Sequence, residues 1–290
     1  MFSLTKHIKQ VSILYHNLSF EGSKDIIQPE SVDLFWLDPP YFISGKKKNN
    51  LDLSSGDRDD WDRQWSSLED YLSWTKTYLE LAYSQLKPNG SLYLCISWQN
   101  SPHIHLLLEE CNFFIQNRIT WKRDKGRGSQ KNWKSMHEDI FFCTKHPSDY
   151  TFNVDDVKIK KKVLAPYKTE TGENKDWWID QDGQKVRLTY PGNLWDDFCV
   201  PYWSMHEVKS YAKTKKTPHN TLQKHNTQKP KDLVKRCILA SSNRGDLVVD
   251  YFSGSGTTAI ASRELDRNSI VFDINKTCIE ILETRIREEG

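Results

Sequence analysis

A carboxylate, two prolines and a tyrosine stand together at Asp38-Pro39-Pro40-Tyr41, directly after the apolar run Val32-Asp33-Leu34-Phe35-Trp36-Leu37. A run rich in β-branched and aromatic residues, ended by prolines that cannot donate to a ladder, predicts a buried strand. Its carboxyl end then presents one carboxylate, two imide carbonyls and one ring. In open α/β sheets that end of a strand is where ligands bind. Asp38 and a proline carbonyl can both accept hydrogen bonds from an amino group, while Tyr41 offers a flat face for stacking. The chemistry suits a planar base with an exocyclic amino group. Taken alone, Asp-Pro-Pro can equally end a strand and start a turn.

A second constellation follows the predicted strand Leu247-Val248-Val249-Asp250-Tyr251. Phe252-Ser253-Gly254-Ser255-Gly256-Thr257-Thr258-Ala259 is a glycine-rich turn of the form Gly-x-Gly-x-x-Ala, leading into a helical stretch to about Asp266. Its glycines let the backbone turn tightly and let a ligand approach where a Cβ would block it. The next strand, Ser269-Ile270-Val271-Phe272, ends at Asp273. An acid about 20 positions after such a turn is placed to accept hydrogen bonds from ribose hydroxyls. The combination indicates a nucleoside cofactor, and the absence of Gly-x-x-x-x-Gly-Lys-Ser/Thr argues against a P-loop nucleotidase. One strand end that accepts an amino group and another that cradles a nucleoside suggest group transfer between them.

The elements that must position these groups are legible in outline. Residues 11–17 read as a first short strand. Leu68, Leu72, Thr75, Leu79, Ala82 and Leu86 recur at helical spacing, predicting a helix over 67–87 that Pro88-Asn89-Gly90 ends. Ser91 to Ser97 reads as the next buried strand, 102–111 as a helix, and 118–121 and 139–143 as strands. A helix over 232–240 precedes the second constellation. Strands alternating with helices imply a parallel or mixed α/β sheet. A long polar loop, with Ser44-Gly45-Lys46-Lys47-Lys48-Asn49-Asn50 and Asp57-Arg58-Asp59-Asp60, follows the first constellation. From 148 to 226 periodicity weakens. Lys158, Lys160, Lys161, Lys162, Lys209, Lys213, Lys215 and Lys216 there interleave with Trp177, Trp178, Trp195 and Trp203. Such a mixture suits a nucleic-acid surface, although a solvated charged face gives the same pattern.

Composition sets bounds. The 290 residues suffice for a sizeable core, and a net charge of +2 supplies no global field for a polyanion. Cys95, Cys111, Cys143, Cys199, Cys237 and Cys278 show no Cys-x-x-Cys spacing and read as thiols of a reducing compartment. Neither a signal peptide nor an apolar run of roughly 20 residues is seen, so a soluble cytoplasmic protein with no membrane partner is expected. No cysteine follows a proline in a strand-end loop, so covalent catalysis by an activated thiolate is not expected. His103-x-His105 and His137-Glu138 lack further ligands at structural-zinc spacing, so no metal is expected. The first pair reads as helix surface and the second as a structural pair near the sheet.

The two constellations together resemble the DNA amino-methyltransferases that use S-adenosylmethionine. Asp38-Pro39-Pro40-Tyr41 matches their catalytic motif and Asp250 through Thr258 their cofactor motif, in the order of the permuted β group. His225-Asn226-Thr227-Gln228-Lys229-Pro230 is similar to the segment before the cofactor turn. Gly192-Asn193-Leu194-Trp195-Asp196 is similar to the segment closing the target-recognition insert, and Trp121 through Glu138 also fits. The resemblance covers roughly residues 30–145 and 225–285. It departs where His16-Asn17 replace Gly-Asp and where Val271-Phe272-Asp273 replace Gly-Ile-Glu or Gly-Ile-Asp.

The resemblance implies a Rossmann-like α/β fold with circularly permuted motif order: a mixed, mostly parallel sheet flanked by helices, plus an irregular insert. Residues 1–147 would form the catalytic half, 148–226 the target-recognition insert and 227–290 the cofactor half. It implies catalytic roles for Asp38, Pro39, Pro40 and Tyr41. Cofactor contacts fall to Asp38, Lys229, Asp250, Phe252, Ser253, Gly254, Ser255, Gly256, Thr257, Thr258 and Asp273. The implied reaction is site-specific methylation of adenine N6 in duplex DNA on a flipped base, since Asp-Pro-Pro-Tyr accompanies adenine more often than cytosine. Cytosine N4 is the alternative, followed by a silent DNA-binding protein and an RNA or protein methyltransferase. A second copy of the chain and a cognate restriction endonuclease are further candidate partners. The recognition sequence lies in side-chain contacts to base edges and has no readable code.

Overall fold

Val32 through Leu37, apolar except for Asp33, is buried on both faces, as a central strand of a parallel sheet must be. The computed structural model describes residues 11–42, 64–123, 131, 133–164, 167–198 and 228–288. In chain order its strands are β1 (Ile13–His16), β2 (Val32–Leu37), β3 (Leu86–Ile96), β4 (Phe114–Lys122), β5 (His137–Thr144) and β6 (Ile159–Lys162). There follow β7 (Trp178–Ile179), β8 (Lys185–Thr189), β9 (Leu194–Trp195), β10 (Leu247–Asp250) and β11 (Asn268–Phe272). The helices are α1 (Leu68–Gln85), α2 (Ser101–Glu110), α3 (Lys231–Ser241), α4 (Thr257–Glu264) and α5 (Lys276–Glu288).

The main sheet has the order β1-β11-β10-β2-β3-β5-β4-β9. Its first five strands are parallel, β5 runs antiparallel to both β3 and β4, and β9 runs parallel to β4. Alternation along β2 sorts the layers. Phe35 and Leu37 share a core with Tyr71, Tyr78 and Leu79 of α1 and Ile104 of α2. Leu34 and Trp36 pack instead with Leu233, Val234 and Cys237 of α3. Leu282 of α5 packs with Ala259 and Ile260 of α4 and with Val271. The polar exception in β2 is paired: Asp33 accepts from Lys87 Nζ at 2.6 Å and from the Leu247 N–H at 2.9 Å. Among the described residues no helix is long and apolar enough to cross a membrane.

The helix expected over 67–87 is α1, capped by Ser67, whose hydroxyl accepts the Asp70 N–H at 3.0 Å. Its end differs from expectation. Pro88-Asn89-Gly90 does not separate helix from strand, because α1 passes at Leu86 straight into β3. Leu86 pairs with Val32 and Ser91 with Leu34, so residues 87–90 bulge out of the ladder between them. A Cβ at Gly90 would crowd the Leu86 side chain and lie 3.1 Å from the Asp33 carbonyl, which explains the glycine.

The stretch expected to be irregular carries regular structure in its described part. Strands β6, β8 and β7 form a separate antiparallel sheet in that order. Leu194 and Trp195 extend the main sheet along β4. Local periodicity could not reveal either, because strands of two to five residues are specified by their partners. Lys209, Lys213, Lys215, Lys216, Trp203, Cys199, His225-Asn226-Thr227 and the polar loop at 44–50 and 57–60 lie outside the described residues.

Candidate active site

Parallel pairing brings the carboxyl ends of β1, β11, β10 and β2 to one edge of the sheet. That edge therefore carries His16, Asp273, Asp250 and Asp38 at or just beyond the strand ends. The antiparallel strand contributes from its start: Asp139 of β5 pairs with Ile96 at the end of β3, which brings Glu138 to the same edge. Strand β4 runs back toward it, and Arg123 follows its last residue.

These placements build a compact charged cluster. Lys229 Nζ lies 2.6 Å from each carboxylate oxygen of Asp38 and 3.7 Å from Glu138 Oε2. The Tyr41 hydroxyl donates to Asp38 Oδ1 at 2.8 Å and stands 3.4 Å from Glu138 Oε2. Arg123 pairs with Glu138 Oε1. Lys229 and Glu138 are buried, at 7% and 5% exposure. Two acids and two bases thus neutralise each other where unpaired charge would be costly. Burial opposes the charge of Lys229, but Asp38 and Glu138 outweigh it and raise its pKa. Burial, with the same two carboxylates behind it, lifts the Tyr41 phenol well above its ordinary value. Tyr41 is a neutral donor here. Pro39 is buried and Pro40 half-buried, and the loop beyond them is pinned by Asn100, whose amide donates to the Phe42 carbonyl at 2.6 Å.

On β10, Asp250 is 2% exposed and accepts from the Phe252 N–H at 2.8 Å and the Thr258 hydroxyl at 2.5 Å. Gly254 and Gly256 have positive φ, +50° and +78°. The Gly254 N–H donates to Asp273 Oδ2 and the Asn275 N–H to Oδ1, both at 2.8 Å, tying the turn to the end of β11. Arg285 of α5 holds the turn from behind by donating to the Ser255 carbonyl at 2.9 Å, and Gln228 donates to Thr257 Oγ1 at 3.0 Å. Phe252 turns its ring into the aromatic core against Tyr78 and Trp74, with centroids 5.2 and 5.7 Å away. Ser253 Oγ is buried with no hydrogen-bond partner among the described residues. That unmatched hydroxyl, the left-handed glycines and the Asp273 carboxylate fit a nucleoside with ribose hydroxyls.

The edge thus combines an amino-group acceptor with a nucleoside cradle on the neighbouring strand. Residues 32–284 match a family model of the N6/N4 methyltransferase type, described as DNA methylase. The chain belongs to that family. It is 31% identical to the type II methyltransferase M.HpaI of Haemophilus parainfluenzae over 91% of this chain and 70% of that protein. It is 33% identical to the DNA adenine methyltransferase YhdJ of Escherichia coli, over 88% and 76%. Among solved structures, the PvuII DNA methyltransferase (cytosine-N4-specific) superposes with a TM-score of 0.60 at 16% identity, over 96% of this chain and 89% of that one. The fold is that of the class I methyltransferases.

In this methylase the expected site residues gather at one sheet edge. Lys229 has its ammonium on Asp38. The same ammonium lies 5.3 Å from the ring centroid of Tyr41. Glu138 and Arg123 were not expected in the site at all. Their signal in sequence is the pair Glu138-Asp139 opening an otherwise apolar strand, since a carboxylate that leads a buried strand needs a cation nearby. Away from this edge, a cleft of about 250 Å³ is lined by Tyr93, Phe142, Tyr150, Trp195 and Arg236 and touches none of the expected site residues.

Proposed function

We propose that the methylase transfers a methyl group from S-adenosylmethionine to N6 of adenine at specific sites in duplex DNA. The observation that carries this reading is the Asp38 carboxylate, held at the end of β2 by Tyr41 and Lys229, one strand from the Asp250 glycine turn. S-adenosylmethionine, when bound, supplies an electrophilic methyl carbon: the amino lone pair forms the new N–C bond, the S–C pair stays on sulfur, and nitrogen sheds a proton.

An aromatic amino group is a poor nucleophile because its lone pair is delocalised into the ring. Asp38 and the Pro39 carbonyl, accepting its two hydrogens, favour pyramidalisation and aim the lone pair. Fixed orientation supplies much of the remaining acceleration. A base in a duplex cannot reach such an edge, so it is flipped out, at a cost of a few kcal/mol. Asp273 takes the ribose, and the main chain from Phe252 to Gly256 lines the rest of the cofactor cradle with Asp250 behind it. The segment 148–226 reads the target sequence. Asp38 and the adenine-specific name of YhdJ support adenine; the cytosine-N4-specific PvuII enzyme shares the fold and supplies the competing reading.

The test is digestion of DNA incubated with protein and S-adenosylmethionine, with nucleosides resolved by mass spectrometry for wild type and Asp38→Ala. N6-methyladenine from wild type alone is expected. N4-methylcytosine would keep the mechanism and change the base, and no methylated nucleoside from mixed-sequence DNA would sink the assignment. Asp38→Ala should keep DNA affinity within about tenfold, because phosphate contacts lie elsewhere.

A further inference from the structure

Asp38 already has two side-chain partners within the chain. A carboxylate offers about four acceptor sites. Lys229 occupies one on each oxygen and Tyr41 a second on Oδ1. An ammonium thus straddles both oxygens, while the proposed reaction asks Asp38 to accept two things in turn, an amino hydrogen and then a proton. Lys229 is too buried to withdraw into water. Among the described residues the nearest other anion is Glu138, with Oε2 at 3.7 Å, so a movement of roughly 1 Å would give Lys229 and Glu138 the spacing of a charge-assisted hydrogen bond. Glu138 cannot swing to meet it, because Arg123 holds its other oxygen. Asp38, Glu138, Lys229 and Arg123, the charges seen together among the described residues, sum to zero with the ammonium in either place.

We propose that Glu138 is a positioning residue that receives the Lys229 ammonium as the target amino group engages Asp38, freeing Asp38 to accept at the moment of transfer. The inference rests on the role of Asp38 given above. With Lys229 on Asp38 the site is latched and its charges are matched. With Lys229 on Glu138, Tyr41 alone remains on Oδ1 and the other acceptor sites of Asp38 are open. The amino nitrogen then shares a hydrogen with Asp38, and after the N–C bond forms its surplus proton passes to Asp38 and on to water.

The test is single-turnover transfer from labelled S-adenosylmethionine to unmethylated mixed-sequence DNA, with cofactor and DNA dissociation constants measured separately by calorimetry and fluorescence anisotropy. Glu138→Gln should slow transfer about 100-fold, the scale of an ångström's misplacement, with both dissociation constants within about threefold of wild type. Glu138→Gln combined with Arg123→Met leaves the buried cluster neutral. Continued slow transfer in that double variant supports the proposal, and recovery of the wild-type rate overturns it, since charge balance would then be all that Glu138 provides. If removal of the charge prevents folding, Glu138→Asp decides instead. It keeps the charge but draws it back by one methylene, and is expected to transfer about tenfold slower, whereas a wild-type rate overturns the proposal. Asp38→Asn, run beside these, separates the failures. Full-rate transfer by Asp38→Asn refutes the role of Asp38 itself, and slow transfer there beside full-rate Glu138 variants refutes only the movement of Lys229.

Discussion

Asp250 carries an electrostatic load that its hydrogen bonds only partly offset. Burial raises its pKa from the carboxylate range to about 7, against the opposing pull of the Thr258 hydroxyl and the Phe252 N–H. A raised pKa means that the folded state binds this proton more tightly than the unfolded chain does. Stability from this group is therefore fully present below about pH 4 and is lost as pH rises through about 7, with a ceiling of about 4 kcal/mol. Urea denaturation of the cofactor-free protein at pH 5 and pH 8 should show wild type losing stability over that window. Asp250→Asn should be the less stable protein at pH 5, by about 1 kcal/mol for a lost hydrogen bond, with the gap closing or reversing by pH 8. A constant gap at both values would mean that Asp250 titrates normally. The carboxylate itself was legible in the sequence, since it closes an apolar run before a glycine turn. Its environment was not, because burial depends on α3, α4 and the strands on either side.

At the scale of elements, the turn into α4 depends on a helix that follows it in the chain. Gly256 has φ +78°, and a Cβ there would run into the Leu282 side chain of α5. Gly256→Ala should destabilise by roughly 2–4 kcal/mol, combining a left-handed alanine with overpacking. The cost should shrink in a Leu282→Ala background, as a double-mutant cycle of urea midpoints would show; an unchanged cost would assign the whole effect to the backbone. The same dependence on distant partners explains what the sequence concealed. Asp38 and Tyr41 were readable because both groups sit within four residues of a strand end. Glu138 and Arg123 were not, since they reach the site only because β5 runs against β3 and β4 against β5. The position of Lys229 was not either, because it is set by how the start of α3 sits against the sheet. The Pro88-Asn89-Gly90 signal was real but marked a bulge, because a local breaker does not say whether the chain stops pairing or skips a few residues.

For the whole molecule, a net charge of +2 hides a local concentration of positive charge. Lys161 of β6 and Arg187 of β8 are exposed and directly opposite, with Lys185 two residues along the same strand. Neither Lys161 nor Arg187 has a carboxylate partner among the described residues. Like charges across a ladder are destabilising, and a phosphate backbone would relieve them. Lys161→Gln with Arg187→Gln should weaken DNA binding regardless of sequence and reduce the slope of log K against log salt by about 2. An unchanged slope would remove this face from the interface. Cofactor affinity should not move.

The clasp between β1 and β11 has a consequence for how the chain is made. Ile13 to His16 pairs with Ser269 to Phe272, and Ser12 is hydrogen-bonded to Asn268, 256 residues away. Among the described residues β11 is the strand that β1 pairs with, so the earlier segment must wait for one made about 256 residues later. At about 5–20 residues per second the wait on the ribosome is roughly 13–50 s. Throughout it Leu14, Tyr15 and Leu18, still partly exposed in the finished fold, have no strand beside them. In the nascent chain β1 therefore stays open to chaperones and proteases until β11 emerges.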